Sequence, residues 1–249
     1  MFHLVTKKVL AGVRQDLQKP SAYLLPIRLF IGIGWIRASL EKFTTSGWPQ
    51  GIVLKNFLHQ HLSSGSVVFP FYKNLIANLF APNALILSWI IMVGQLLVGL
   101  AILSGTLTGF ALLWGVFMNL NFILAGEITP SAFYIVIQVI LFVSSIGAVL
   151  GLDKILSRRI PFVFLCAQSC RNNQFWRSEK GFYLLSTLIA AVAAVAAIPY
   201  IRYYGPNSVE DPAMLVFILS FVIGMVCYIT GSRIHPQQWF TRYLAEKSN

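Results

Sequence analysis

The chain has 249 residues, of which 57% are hydrophobic and only 11% are charged. Soluble domains usually carry about 25% charged residues. The composition therefore argues against an ordinary globular domain, a disordered chain and a disulfide scaffold. It predicts a single integral membrane unit, without room for a large soluble catalytic domain.

The net charge is +11, and the basic residues lie beside apolar runs. This arrangement fits membrane topology and contact with anionic lipid. Nucleic acid is not an expected partner, because the basic segments lack interleaved aromatic residues and a recognised binding motif.

Six apolar segments have about the length of a membrane crossing, which needs about 20 residues. The first contains Arg28, the second and third are separated by the turn Ser104-Gly105-Thr106, and the fourth follows Pro130. In chain order, the segments are 23–40, 84–103, 107–124, 128–152, 181–201 and 212–232. The predicted fold class is an all-α, polytopic membrane helix bundle.

The same pattern divides the chain into a core and its flanking segments. The predicted parts are a basic N-terminal segment (1–22), a four-helix core (23–152) with an outer amphipathic loop (43–83), a basic loop (153–180), a C-terminal helix pair (181–232) and a tail (233–249). Thirteen Lys and Arg residues fall on one side and five on the other. This bias predicts that both termini are cytoplasmic, in an inner membrane of prokaryotic type or a thylakoid membrane.

Arg28 is the clearest candidate for function, because an ionisable group within a span is costly. Gly32, Trp35, Ser39 and Lys42 share its helix face by their spacing. One interpretation is that Arg28 binds a ligand or pairs within the bundle. The alternative is that it snorkels to the lipid headgroups.

Other polar residues mark the helix ends. Arg37 and Glu41 have the i, i+4 spacing of an ion pair; they form either an outer polar pocket or a solvated helix end. Glu127 is either a proton-handling group or a simple helix-end charge.

Four amides interrupt the central spans: Gln95, Asn119, Asn121 and Gln138, of which Asn121 lies on another helix face near the end of its span. Such groups often hydrogen-bond between helices and so only stabilise packing. The alternative is that several of them converge on one polar cavity with Arg28.

The four histidines all lie outside the predicted spans, so haem held by paired histidines is not expected. His59 and His61 lack the accompanying cysteines and acids of a metal site, and no metal is predicted. Cys166 and Cys170 are predicted to be reduced, with lipidation or redox activity as the alternatives.

Several short motifs resemble the DoxX/DoxD family of small four-helix membrane proteins, which includes the membrane subunit of thiosulfate:quinone oxidoreductase. They are Arg28-Leu29 followed by Gly34 and Glu41-Lys42, the stretch from Gly94 to Leu100 leading into the turn and Leu107-Thr108, and the stretch from Asn119 to Gly126. The resemblance covers about residues 24–152. The chain departs from it at Gln95, where the family usually has an acid.

The resemblance implies a membrane subunit of a quinone-linked oxidoreductase that receives electrons from another protein. The expected quinone-binding residues are Arg28, Trp35, Lys42, Gln95 and Asn119. Arg28 and Lys42 are about 21 Å apart along one helix, so a single quinone headgroup does not need both. The alternative function is a non-catalytic accessory or assembly subunit of a larger respiratory or photosynthetic complex.

Overall fold

A computed structural model describes residues 12–128, 130–144, 146–156, 164, 173–202 and 211–233, apart from the side chains of residues 148 and 173–179. Within these residues the regular structure is entirely helical. The predicted all-α class is therefore confirmed.

The helices are numbered here in chain order. They are α1 (Leu25–Thr44), α2 (Ile52–Ser63), α3 (Pro70–Leu75), α4 (Ala84–Ser104), α5 (Thr108–Leu124), α6 (Ser131–Val143), α7 (Asp153–Leu156), α8 (Asn173–Ala197) and α9 (Pro212–Arg233). A 3-10 turn, Pro20–Leu24, leads directly into α1, and a π-helical turn, Ile76–Phe80, continues α3.

Four helical segments in the described part of the chain are long and apolar enough to cross a membrane: Pro20–Thr44, Ala84–Ser104, Lys180–Tyr200 and Pro212–Arg233. The protein is a multi-pass helical membrane protein. The other two predicted segments form shorter helices, α5 and α6. The helix in the fourth segment follows Pro130, as predicted; α6 covers only Ser131–Val143, and the chain continues through a short 3-10 turn, Ile146–Ala148.

Helices α1, α4, α5 and α6 pack as a ring, each against the next, and α6 closes against α1. The closest approach is between α1 and α4. A Cβ atom at Gly99 would lie 2.8 Å from the carbonyl oxygen of Gly32, so neither helix has room for a larger residue there. Across the closure, a Cβ at Gly34 would lie 2.6 Å from the hydroxyl of Tyr134. Small residues thus set the spacing of the core, as they commonly do between membrane helices.

Residues 45–83 form a helical cap at the end of the core where α4 begins. The hydroxyl of Ser88 in α4 donates to the carbonyl of Trp48, and the indole of Trp89 donates to the carbonyl of Pro49 (3.1 Å). In α2 the buried residues are Leu54 and Leu58. Ile52, in the first turn of α2, is 56% exposed.

The C-terminal pair, α8 and α9, packs tightly through small residues. Ala190 lies opposite Gly224, and Tyr183 lies opposite Gly231. Ala190, Ala194 and Ala197 are buried, whereas Leu185, Leu188 and Val192 are exposed. The alanine-rich part of α8 therefore packs against α9.

The pair contacts the core near both of its ends. Phe142 of α6 packs against Phe182, with ring centroids 5.8 Å apart. At the other end, Tyr200 packs against Phe69 of the cap at 5.1 Å, and the guanidinium of Arg202 donates to the carbonyl of Gly65 (3.2 Å). Within the described residues, the pair is thus an integral part of the bundle.

Candidate functional site

Arg28 lies at the end of the core opposite the cap and is only 2% exposed. Its Nη1 donates to the carbonyl oxygens of Ile146 (2.9 Å) and Val149 (2.7 Å). Its Nη2 makes a longer contact with the carbonyl of Leu150 (3.5 Å), and only its Nε lacks a partner. Arg28 therefore pairs inside the bundle, and the snorkelling interpretation was wrong.

These contacts explain why α6 can end early. A chain within the hydrocarbon region needs internal partners for every backbone carbonyl. Beyond Val143 the chain leaves the α-helix, and the guanidinium of Arg28 donates to the carbonyl of Val149 and adds a second donor to the carbonyl of Ile146, which also accepts from the N–H of Val149. Arg28 is thus first of all a structural residue.

Asp153 is the acidic counterpart of Arg28 at the same end of the core. It is fully buried, and its two carboxylate oxygens accept from the backbone N–H groups of Leu107 (2.7 Å) and Thr108 (2.9 Å). A carboxylate in this position satisfies free N–H groups at the start of α5 and favours its positive dipole end. Leu107 has φ 49°, an uncommon conformation for a non-glycine residue, and Asp153 holds it there.

Burial is the main influence on the pKa of the Asp153 carboxyl and raises it. The hydrogen bonds from backbone N–H groups and the attraction of Arg28 act in the opposite direction and lower this pKa. Gly105 completes this region, because a Cβ there would lie 2.6 Å from the Cα of Gly151 and 3.4 Å from the Nη1 of Arg28. Arg28, Gly105, Gly151, Asp153 and the backbone groups they contact are called the Arg28 junction below.

A second buried polar group lies in the middle of the core. The side-chain Nδ2 of Asn119 in α5 donates to Oε1 of Gln138 in α6 (3.2 Å). A Cβ at Gly115 would clash with the amide of Gln138 and would lie 3.3 Å from the ring of Trp35 in α1. Trp35 and Gln138 therefore meet at Gly115.

Gln95 of α4 lies at the same depth. Gly32 is opposite Gly99, and the hydroxyl of Ser39 donates to the carbonyl of Met92 (2.7 Å). Since α1 and α4 run in opposite directions between these two contacts, Gln95 is level with Ile36, one residue from Trp35. We call Trp35, Gln95, Asn119 and Gln138 the core polar cluster; each of the four core helices contributes one member.

The cluster is buried but incompletely hydrogen-bonded. All four residues are at most 3% exposed. Nε1 of Trp35, Oε1 of Gln95 and Nε2 of Gln138 have no hydrogen-bond partner. Native proteins leave few buried polar groups without a partner, so three such atoms at one depth call for a ligand or bound water.

Lys42 does not join this cluster. Its ammonium group is 3.4 Å from the carbonyl of Ala38 and 5.1 Å from the centre of the Trp48 ring. The second distance is that of a cation–π contact, which ties the end of α1 to the cap. The structure thus separates Arg28, Lys42 and the cluster into three places along α1.

Arg37 and Glu41 are both exposed on the outer face of α1. They line a groove together with Ile33, Ile36, Leu40 and Thr44. The ion pairs among the described residues do not include Arg37 with Glu41. Glu127 is exposed beyond the end of α5 and is not a member of the cluster.

Of the five expected quinone-binding residues, the structure brings Trp35, Gln95 and Asn119 to one depth and places Arg28 and Lys42 elsewhere. Gln138, recognised in the sequence only as an interrupting amide, is the residue that links α5 to α6. Asp153 was missed as a site residue, because an acid that follows an apolar run looks like the start of a loop.

Cys166 and Cys170 lie outside the described residues. Cys227 is buried in α9. Among the residues that the structure describes, no group of three or more His, Cys, Asp or Glu side chains is arranged to hold a metal ion.

The chain matches no protein-family model, no curated protein and no solved structure.

Proposed function

We propose that the four-helix core binds the headgroup of a quinone at the core polar cluster, and that the protein is the membrane subunit of a quinone-linked oxidoreductase. The observation that carries this proposal is the set of three unpaired buried atoms on Trp35, Gln95 and Gln138. The resemblance to the DoxX/DoxD family supports the same class of ligand.

The unpaired atoms match the chemistry of such a headgroup. Nε1 of Trp35 and Nε2 of Gln138 carry hydrogen atoms and are donors, whereas Oε1 of Gln95 is an acceptor. The two donors suit the carbonyl oxygens of a quinone, and the acceptor suits a hydroxyl of the reduced form. Asn119 positions the donor, because its hydrogen bond to Oε1 of Gln138 fixes the orientation of that amide.

A bound quinone would supply two-electron redox chemistry, with the electrons coming from a partner subunit. The chain's own residues would hold and orient the headgroup in surroundings without bulk water. Both termini are proposed to be cytoplasmic, since the Lys and Arg bias is thirteen to five.

The test uses the full chain in lipid nanodiscs and titration with a short-chain benzoquinone, followed by tryptophan fluorescence. Gln138→Leu removes a donor of one headgroup oxygen. We expect the dissociation constant of the quinone to be about tenfold higher for this variant, which is equivalent to the loss of one hydrogen bond of about 1.4 kcal/mol.

Asn121→Ala is the matched control. Asn121 is an amide of a core helix, as Gln138 is, but it lies in α5 and its Oδ1 accepts from the hydroxyl of Tyr72 in the cap (2.9 Å). Its affinity for the quinone should equal that of the unchanged protein. Equal affinity in Gln138→Leu, or an equal loss in both variants, would contradict the proposed site.

A non-catalytic accessory role is the second candidate. It is favoured by the satisfied contacts of Arg28, Asp153 and Lys42, which leave the strongest charges of the core with structural partners. In that case purification in mild detergent would yield a larger complex, and variants of the cluster would leave its activity unchanged.

A further inference from the structure

The outer face of α1 carries an unusual combination of residues for a surface in contact with lipid. Ile33 and Leu40 are 58% and 53% exposed, as expected for a membrane helix. Arg37 and Glu41 are exposed on the same face. The six residues that line the face form a groove of about 480 Å³.

The depth of Arg37 follows from the packing of α1 on α4. Helix α4 has 21 residues, which is about 31 Å and matches the hydrocarbon thickness of about 30 Å. Its middle residue is Gly94. Since Gly32 is opposite Gly99 and Ser39 is opposite Met92, Arg37 is level with Gly94 and lies near the middle of the membrane.

A charged side chain at this depth normally faces the bundle interior and has a partner. Arg37 instead faces outwards, and the described residues give it no ion pair. A lipid headgroup does not suit the position, because headgroups lie about 15 Å from the bilayer middle and Glu41 would repel their phosphates. The face therefore calls for a protein partner that brings both a carboxylate and a cation.

We propose that the partner is a second copy of this chain, packed through the outer faces of two α1 helices. A two-fold axis along the membrane normal places each surface patch against itself. Arg37 of each copy then pairs with Glu41 of the other, and the four groups form a neutral set in which carboxylates separate the two guanidinium groups.

The apolar residues of the face support the same geometry. Ile33, Arg37 and Glu41 form one row at i+4 spacing, and Ile36, Leu40 and Thr44 form the next. Rows at this spacing interlock when two helices cross. This interface goes beyond the proposed quinone site and does not depend on it, since the cluster faces the opposite side of α1.

The first experiment measures dimer formation of the full chain in nanodiscs and membranes, and compares the unchanged protein with charge-reversal variants. Arg37→Glu and Glu41→Arg each place like charges together, and we expect each to raise the dissociation constant of the dimer by about tenfold. The double variant Arg37→Glu/Glu41→Arg restores opposite charges only when both copies carry it. Its dissociation constant should return to within about threefold of the original.

The second experiment is cross-linking of single cysteines with a short bis-maleimide, after replacement of Cys166, Cys170 and Cys227. Leu40→Cys should cross-link to a dimer. Leu97→Cys is the matched control, since Leu97 is 60% exposed near the middle of α4 but lies outside the groove, and it should remain monomeric.

Equal cross-linking at both positions would overturn the proposal. So would a double variant that stays as weak as the single ones, because that result indicates a different protein partner. If the protein is monomeric at all concentrations and retains anionic lipid in native mass spectrometry, the partner of this face is a lipid and the proposed dimer is wrong.

Discussion

The Arg28 junction and the core polar cluster are two buried polar regions of one helix bundle, separated by about 10 Å along α1. At the junction, the guanidinium donates to two carbonyls within 2.9 Å, and the carboxylate of Asp153 accepts from two N–H groups. In the cluster, three side-chain atoms have no partner.

Hydrogen bonding separates structural polar residues from functional ones in this bundle. Burying a polar group is costly unless it is hydrogen-bonded. Apart from Nε of Arg28, the charged side chains of the junction meet this requirement within the chain, so protein stability explains these residues. The cluster does not meet it, so its polarity is better explained by something that binds there.

The largest expected effect is the loss of the junction's cation. Arg28→Met leaves the carbonyl of Val149 without its donor, removes one of the two donors to the carbonyl of Ile146, and removes the positive charge near Asp153. We expect the free energy of unfolding in detergent to fall by about 3–5 kcal/mol. Arg28→Lys, which keeps a cation, should lose less. Normal stability combined with lost quinone binding would move Arg28 from the structural to the functional region.

Asp153→Ala should have the next largest effect. It removes the acceptor for two N–H groups at the start of α5, and loss of such a cap costs about 1–2 kcal/mol. Glu127→Gln is the control at the far end of α5. Because Glu127 is exposed, its replacement should change the unfolding free energy by at most about 0.5 kcal/mol.

Gln95→Leu should show the opposite behaviour. It replaces an unpaired buried oxygen with an apolar group of similar size, so stability should stay the same or rise by up to about 1 kcal/mol. Quinone affinity, measured on the same sample, should fall. A clear loss of stability would show that Gln95 has a structural partner and that the two regions do not differ as described.

The smallest effect concerns Asp16, which bonds to Lys19 (2.7 Å) and Lys154 (2.9 Å). Burial alone would raise the pKa of Asp16, but these bonds hold that pKa below its usual value. The stabilisation is therefore present above about pH 4 and is lost as the pH falls through the lower folded-state pKa.

Both lysines are partly exposed, so the contribution of Asp16 is at most about 1 kcal/mol. The free energy of unfolding should fall between pH 6 and pH 3 in both the unchanged protein and Asp16→Asn. The fall should be larger in the unchanged protein by about this amount. An identical pH dependence would show that Asp16 does not anchor the segment before α1 to α7.

The helix positions and the buried face of α1 could be predicted from the sequence. Apolar length identifies a span, and Arg28, Gly32, Trp35 and Ser39 follow a helical period. These signals are local, because each depends on residues within one helix.

The partners of these residues could not be predicted in the same way. Arg28 contacts carbonyls 118 to 122 residues further along the chain, and backbone carbonyls leave no mark in a sequence. The early end of α6 has the same origin, since only the folded bundle brings a donor to the chain beyond Val143. Likewise, Gln95 and Gln138 share a depth because of how four helices pack.

The separation between Arg28 and its acceptors also has a consequence during biosynthesis. Val149 is made 121 residues after Arg28, a delay of about 6–24 s at about 5–20 residues per second. Throughout that time the guanidinium of Arg28 lacks the backbone acceptors that it has in the finished bundle. The buried contacts of α1 are therefore completed only after the chain beyond Val143 has been synthesised, and truncation before residue 146 should leave Arg28 accessible to water.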